Sequence, residues 1–317
     1  MAFKQLTYAQ RCQIFALNRR GFSCRAIATD LGVHHTTISR ELRRNGCRAG
    51  YHPATAHQYY HARRYQRVPI MTGRFVQVVL GKLFRKWSPT QISGCLARHG
   101  IGWISPETIY RYIRARPHLK RHLRHRGKRY LRASDGRRGP IKDRVDISQR
   151  PKIVEQKLRL GDWELDTIAG AGRAVLVSMV DRASKLCLLR VVARPNAVLV
   201  SRAILSAMLP PDIIVETLTA DNGAEFARHK GLAYRLGAGF YFAKPYLAWQ
   251  RGLNEHTNGL VRGYLPKGTC FDALTADRVR DIQHKLNNRP RAVLGFRTPK
   301  EVFDQMSLKA QAGAIRV

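Results

Sequence analysis

Between Tyr8 and Asn45 apolar residues recur at helical spacing in three short runs. Ile14, Phe15 and Leu17 mark the first, and Arg20-Gly21-Phe22-Ser23 breaks it. Ser23 stands where it would cap a second helix carrying Ile27, Ala28 and Leu31. Gly32 supplies a tight turn into a third helix, Val33 to Arg44, with Ile38 and Leu42 four apart on one face. His34 and His35 then stand at its start, and Thr36, Thr37, Ser39, Arg40 and Arg43 are left to its other faces. Short polar side chains with one arginine on such a helix suit a DNA major groove, and Arg43 and Arg44 would lie near phosphate. A three-helix packing motif without nucleic acid would carry the same apolar spacing.

A second version of this pattern occupies Trp87 to Arg114. Ser88-Pro89 opens a helix holding Ile92 and Leu96, and Gly100-Ile101-Gly102 turns the chain. Ser105-Pro106-Glu107 opens another helix with Ile109, Tyr110 and Ile113 inside, which leaves Thr108, Arg111 and Arg114 for a groove. An all-helical spacer is the competing reading of this pair.

From Asp162 the period changes from helical to extended. Trp163 to Ile168 alternates, and Val175 to Val180 and Leu186 to Val192 are strand-length apolar runs joined by short turns, which predicts three antiparallel strands. Asn196 to Leu209 reads as a helix stopped by Pro210-Pro211, Ile213 to Thr219 and Phe240 to Ala243 as strands, and Leu247 to Tyr264 as largely helical. The expected fold class is multidomain: an all-α helix-turn-helix N-terminal region followed by an α/β domain on a mixed five-stranded sheet.

Composition narrows the partners. The 317 residues carry 57 Lys and Arg against 21 Asp and Glu, a formal net charge of +36, while 44% hydrophobic residues leave enough for real cores. A folded, strongly basic protein expects a polyanion, nucleic acid first. The excess is uneven: residues 1–150 hold 32 basic against 6 acidic side chains, and residues 151–317 hold 25 against 15. The first half therefore supplies most of the attraction to phosphate, and the second concentrates carboxylates. Arg111 to Arg150, with 15 basic residues and little apolar periodicity after Leu131, reads as a linker lying along a backbone. No apolar run reaches the ~18 residues that would span a bilayer, so no membrane is expected. No secretory signal precedes the first helix, which makes the cytoplasm the expected location. Cys12, Cys24, Cys47, Cys95, Cys187 and Cys270 are scattered, without metal-ligand spacing.

Three acids stand out in the second half. Asp166 lies within the first extended run, Asp221 ends the later strand before the turn Asn222-Gly223, and Glu255 lies in a helical stretch. If the first and fourth strands are neighbours, Asp166 and Asp221 converge, and a helix crossing the sheet could bring Glu255 to the same point. Three hard oxygen ligands suit Mg2+ or Mn2+ and in-line phosphoryl transfer, with two ions serving the attacking and leaving oxygens. Arg262, seven residues after Glu255 and two helical turns on, would hold DNA phosphate beside them.

Other residues in this half have two readings each. Glu164 shares the Asp166 strand face and either supports the site or pairs with an arginine. Asn222 either orients a metal-bound water or serves the turn. Asp162 reads as a surface charge and Glu225 as a solvated one. Tyr246 and Trp249 either stack on bases or pack the helix against the sheet.

With these motifs in view, the chain resembles the DDE transposases of bacterial insertion sequences, most closely the insertion-sequence-thirty family. The resemblance spans nearly the whole chain: TTISRELRRN, WSPTQISGCL with ISPETIYRYI, GDWELDTIAG, TADNGAEFARH, AKPYLAWQRGLNEHTNGLVRGYLPKGT and NNRPRAVLGFRTPKEVF, in that order. It implies a ribonuclease H-like, integrase-like catalytic core in which Asp166, Asp221 and Glu255 are the catalytic and metal-binding acids, with the family's 33 residues between the last two. It also makes Arg262 the downstream basic residue; His256 and Cys270 depart from residues common in the family. The activity implied is metal-dependent DNA cleavage and strand transfer at terminal inverted repeats. The partners implied are double-stranded DNA, both transposon ends and target, and further copies of the chain in a dimer or larger synaptic assembly. The location implied is the bacterial cytoplasm, at the nucleoid.

The expected organisation is a helix-turn-helix domain at 1–50, a second helical DNA-binding domain at 51–125, a basic linker at 126–155, a catalytic domain at 156–305 and a tail at 306–317. A DNA-binding regulator with an inactive integrase-like half, or a nuclease that cuts without joining, would share much of this pattern.

Overall fold

Thr7 and Gln10 cap the first helix, α1 (Tyr8–Arg19), reciprocally: the Thr7 hydroxyl accepts from the Gln10 backbone N–H, and the Gln10 side-chain oxygen accepts from that of Thr7. The computed structural model describes residues 5–47, 50–65, 71, 73–123, 141, 143–244 and 252–314. The chain divides into two units, Met1–Thr72 and Gly73–Val317.

In the first unit the Ser23 hydroxyl accepts from Ala26 N–H at 3.3 Å and starts α2 (Cys24–Asp30), as the sequence predicts. Gly32 takes φ +62°, a left-handed turn that glycine adopts at least cost. The third helix, α3 (His35–Asn45), begins two residues later than Val33 because His34 serves as its cap, Nδ1 accepting from Thr36 N–H at 3.4 Å. A two-residue strand, β1 (Gly46–Cys47), pairs antiparallel with β2 (Gly50–Tyr51) ahead of α4 (Pro53–Tyr65). Leu6, Ile14, Ile27, Ala28, Ile38, Tyr51 and Ala56 form the core. Arg11 is buried beside it: Nε donates to Glu41 Oε1 at 2.7 Å and Nη1 to the Leu6 carbonyl at 2.7 Å, which ties α1 to α3.

The second unit opens with α5 (Gly73–Phe84), α6 (Pro89–Arg98) and α7 (Pro106–Arg114). Ser88 and Ser105 cap the last two at the expected positions, each with proline next. Ile92, Leu96, Ile104, Ile109 and Ile113 are buried between them. These helices share a unit with the sheet, so the sequence divisions at 50 and 125 do not coincide with the boundary at 72.

The sheet has strand order β5-β4-β3-β6-β7. A meander of β3 (Asp162–Ala169), β4 (Val175–Asp181) and β5 (Cys187–Val192) pairs antiparallel, and β6 (Thr217–Ala220) and β7 (Gly239–Phe242) extend it in parallel from β3. This is the mixed five-stranded α/β arrangement that the sequence implied, with the first and fourth strands as neighbours. The β6 strand is shorter than predicted: the Ile214 carbonyl accepts from the Trp163 indole at 2.8 Å, outside any ladder. A short α8 (Ile153–Gln156) precedes the sheet. On one face Trp163, Leu165, Val177 and Met179 pack with Val200 and Ile204 of α9 (Ala197–Met208), Leu232 of α10 (His229–Leu236) and Phe303 of α13 (Pro299–Ala314). On the other, Ile168, Leu176, Val180 and Leu189 meet Leu260 and Val261 of α11 (Gly252–Val261) and Val279, Ile282 and Leu286 of α12 (Ala276–Asn287). Helix α13 runs past 306, so most of the expected tail is helical. Among the described residues no helix is long and apolar enough to cross a membrane.

Candidate active site

Strand alternation places Asp162, Glu164 and Asp166 on one face of β3, the face covered by α11 and α12. The parallel register pairs Asp162 with Thr217 and Glu164 with Thr219, and two residues further it sets Asp166 beside Asp221, just past the end of β6. Adjacent strands lie about 4.8 Å apart, so the two half-buried carboxylates are neighbours in the middle of the sheet, where β6 ends. Asp221 Oδ1 also accepts from Gly223 N–H at 3.0 Å, which fixes the turn after it.

Helix α11 is pinned to this point by two asparagines. Asn258 Nδ2 donates to Asp166 Oδ2 at 2.6 Å, and Asn254 Nδ2 donates to the Leu165 carbonyl at 3.2 Å. Ser178, the cross-strand partner of Asp166, donates to Asn258 Oδ1 at 3.3 Å and so sets which way the amide points. Glu255 lies three residues before Asn258, one helical turn away, and is exposed. Among the described residues, no three His, Cys, Asp or Glu side chains are grouped so as to hold a metal ion. Two aspartates align by register, and Asn258, one turn along α11 from Glu255, makes the direct link from that helix to Asp166. The two aligned carboxylates, hard oxygen donors on one face, suit a divalent cation.

Below Asp166 the same strand face is filled with paired charges. Glu164 Oε1 accepts from Arg182 Nη1 at 2.6 Å in a buried pair, and Arg182 also bonds Glu155 at 3.1 Å. Arg150 bonds Glu155 and donates to Thr219 Oγ1 at 2.9 Å. Asp162, expected at the surface, is fully buried instead: Arg159 and the Thr217 hydroxyl, 55 residues away, both donate to it. Glu225, expected in solvent, is half-buried and accepts from Thr167 Oγ1 at 2.7 Å. Asn222 braces the turn, with Nδ2 donating to the Ala243 carbonyl at 2.9 Å and Oδ1 accepting from exposed Arg144 at 2.8 Å. Arg262 turns its guanidinium to the Ala169 carbonyl at the end of β3 and lies 5.7 Å from the Phe271 ring centroid. Sequence reasoning missed Asn258, Ser178 and Arg144; for Asn258 the available signal was its place one turn from Glu255.

The candidate DNA-reading residues are mostly at the surface. In α3, His35, Ser39, Arg40, Arg43 and Arg44 are exposed, while Thr36 and Thr37 are half-buried. In α7, Arg111 is exposed, Thr108 Oγ1 lies 2.8 Å from the Ser105 hydroxyl, and Arg114 pairs with Glu107. Tyr246, Trp249 and much of the basic linker, residues 124–140, lie outside the described residues.

Residues 2–45 match a helix-turn-helix domain family. Over its length the chain is similar to the transposase for insertion sequence element IS4351 of Bacteroides fragilis, 39% identical and covering 96% of each chain. It is 36% identical to transposase InsI for insertion sequence element IS30C of Escherichia coli (strain K12), covering 96% of this chain and 84% of that one. A third relative, the transposase for insertion sequence element IS1086 of Cupriavidus metallidurans, is 37% identical with coverage of 96% and 95%. Among solved structures, the catalytic core domain of BIV integrase aligns with 47% of this chain and 97% of its own, at 22% identity and a TM-score of 0.38.

Proposed function

The chain belongs to the transposases of IS30-family insertion sequences, and from that premise we propose that it binds the terminal inverted repeats of its element and cuts and joins DNA at Asp166, Asp221 and Glu255. The observation that supports the reading is the register that sets Asp166 beside Asp221, with α11, the helix that carries Glu255, bonded to Asp166 through Asn258. These three acids would hold Mg2+, or Mn2+, in one or two ions, which when bound supply Lewis-acid activation and charge neutralisation for phosphoryl transfer. Asn258 occupies one oxygen of Asp166 and fixes the direction of the other. Paired cations at Asp162 and Glu164 keep the strand below from repelling the site.

In the hydrolytic step a water oxygen attacks phosphorus and the 3′-oxygen leaves with a proton. In strand transfer that 3′-hydroxyl attacks a target phosphodiester and displaces another 3′-oxygen. Neither step uses a covalent protein intermediate. The exposed basic and polar side chains of α3, with Arg43 and Arg44 on phosphate, hold the end, α7 adds Arg111, and two copies of the chain synapse two ends. The protein works in the cytoplasm at the nucleoid.

Labelled inverted-repeat DNA incubated with the full chain and Mg2+ tests the reading. Wild-type nicking that is lost in Asp166→Asn, Asp221→Asn and Glu255→Gln, with binding retained, is the expected result. Binding without nicking in the wild type would instead identify a DNA-binding regulator. Nicking that survives Asp221→Ala would remove the site assignment.

A further inference from the structure

The turn that ends α5 carries a residue its backbone does not favour. Trp87 N–H bonds the Lys82 carbonyl at 3.2 Å and Lys86 N–H the Leu83 carbonyl at 2.8 Å, the closing pair of a helix C-cap whose central position is left-handed. That position, usually glycine, is Lys86, with φ +63°. Its side chain leaves the turn and grips the far end of α11: Lys86 Nζ donates to the Gly263 carbonyl and lies 5.0 Å from the Tyr264 ring centroid. The Tyr264 hydroxyl returns a bond to the Arg85 carbonyl at 3.3 Å. Arg262 N–H bonds the Asn258 carbonyl, so the gripped turn continues the helix that holds Asp166.

A second tie has the same character. Phe296 also holds a left-handed backbone, φ +60°, and its ring lies over α6 where a methyl group on Gly94 would meet it at 2.3 Å. Arg289 Nε donates to Gln91 Oε1 at 2.8 Å, using the atom that also closes the α6 capping box, and Arg98 pairs with Glu301 at 2.9 Å. Two of the non-glycine residues with a left-handed backbone thus stand where the second helical segment meets the sheet domain, and each places its side chain in that contact.

We infer that Lys86 is a positioning residue for the active-site helix: it caps the C-terminal end of α11 and couples the second helical segment to the placement of Asn258 and Glu255. The inference rests on the proposed cleavage site, and it has a readout independent of cleavage. Lys86→Gly removes the side chain and suits the turn, so the variant keeps its fold and its melting temperature stays level or rises. In the full chain, α11 amides from Asn258 to Arg262 then exchange hydrogen faster than in the wild type. The affinity for inverted-repeat DNA stays within about twofold while the cleavage rate at saturating DNA and Mg2+ falls about tenfold, the range for residues that orient a ligand carboxylate. Lys86→Arg, which keeps a cation within reach, recovers part of both effects. Unchanged α11 exchange in Lys86→Gly overturns the inference even if no variant cleaves; wild-type cleavage in Lys86→Gly overturns it as well. Absence of cleavage in the wild type alone counts against the cleavage site and leaves the exchange result to decide the coupling.

Discussion

Asn258 Nδ2 lies 2.6 Å from Asp166 Oδ2, a contact that joins the helix bearing Glu255 to the strand bearing the first aspartate. Ser178 holds the other end of the amide, so the carboxylate cannot rotate without breaking a three-residue chain. Asn258→Ala is expected to lower strand cleavage about 10- to 100-fold while leaving inverted-repeat affinity unchanged, since residues that orient a metal ligand carry effects of that size. Asn258→Asp keeps the shape but sets a second negative charge against Asp166, so its cleavage should fall too and recover in part as Mg2+ is raised. Rates at saturating DNA across a Mg2+ titration check both; wild-type rates in Asn258→Ala would remove the contact from the mechanism.

What could be read from the residues alone follows the distance over which each feature is decided. Ser23, Ser88, Ser105 and Asn196 cap helices through atoms two or three residues away, and all four starts were legible. The order of strands and helices was legible, but that the first and fourth strands are neighbours entered only as a condition; the β3–β6 register supplies it and, with it, the alignment of Asp166 and Asp221. Glu225 was misread because its partner, Thr167, lies 58 residues away; Asp162 was misread because its local partner, Arg159, would suit a surface pair equally well and the bond that goes with its burial comes from Thr217, 55 residues away. The Asn258 contact depends on how α11 is rotated about its axis, and with Asn254, Thr257 and Asn258 on its inward face, apolar periodicity does not mark that face. The docking of α6 through Phe296 and Arg289 has no local signature at all.

Arg11 tests what aims α3. It is 2% exposed and its ion pair with Glu41 at 2.7 Å is shared with the Tyr51 hydroxyl, whose proton is held more tightly first by burial and then by Glu41. Removing one partner of a buried pair leaves the other charge uncompensated and costs about 3–5 kcal/mol. Arg11→Met should therefore melt the first unit at a lower temperature and abolish inverted-repeat binding, whereas Arg11→Met with Glu41→Leu should regain much of the stability. Denaturant unfolding of the single and double variants measures the difference, and additive losses would contradict the pairing.

Lys185 gives a pH dependence whose sign can be worked out. Burial, and then repulsion from Lys157, lower its ammonium to about 8, well below the ordinary lysine value. The folded state therefore releases this proton before the unfolded chain does. From about pH 8 up to the unfolded value near 10.4, the unfolded chain binds more protons, so stability attributable to this group rises with pH. Below pH 8 both states are charged and the folded state carries the full burial cost. Lys185→Gln should stabilise the protein at pH 7 and lose that advantage toward pH 10; the difference in melting temperature between the two proteins across this range is the measurement, and a constant difference would refute it.

Two arginines of α3 should behave differently on DNA. Arg40 is exposed on the half of the helix with Ser39, His35 and Thr36, where base edges would be read, and Arg43 is exposed in the last turn, where phosphate would lie. Arg43→Ala should weaken binding to inverted-repeat and unrelated DNA alike and reduce the slope of log affinity against log salt by about 1, the loss of one phosphate contact. Arg40→Ala should cost about 1–3 kcal/mol on the inverted repeat and little on unrelated sequence, so the ratio of the two affinities falls. Titrations on both DNAs at several salt concentrations separate these outcomes. Equal losses on both DNAs for Arg40→Ala would place that side chain on the backbone and move the sequence reading to Ser39 and His35.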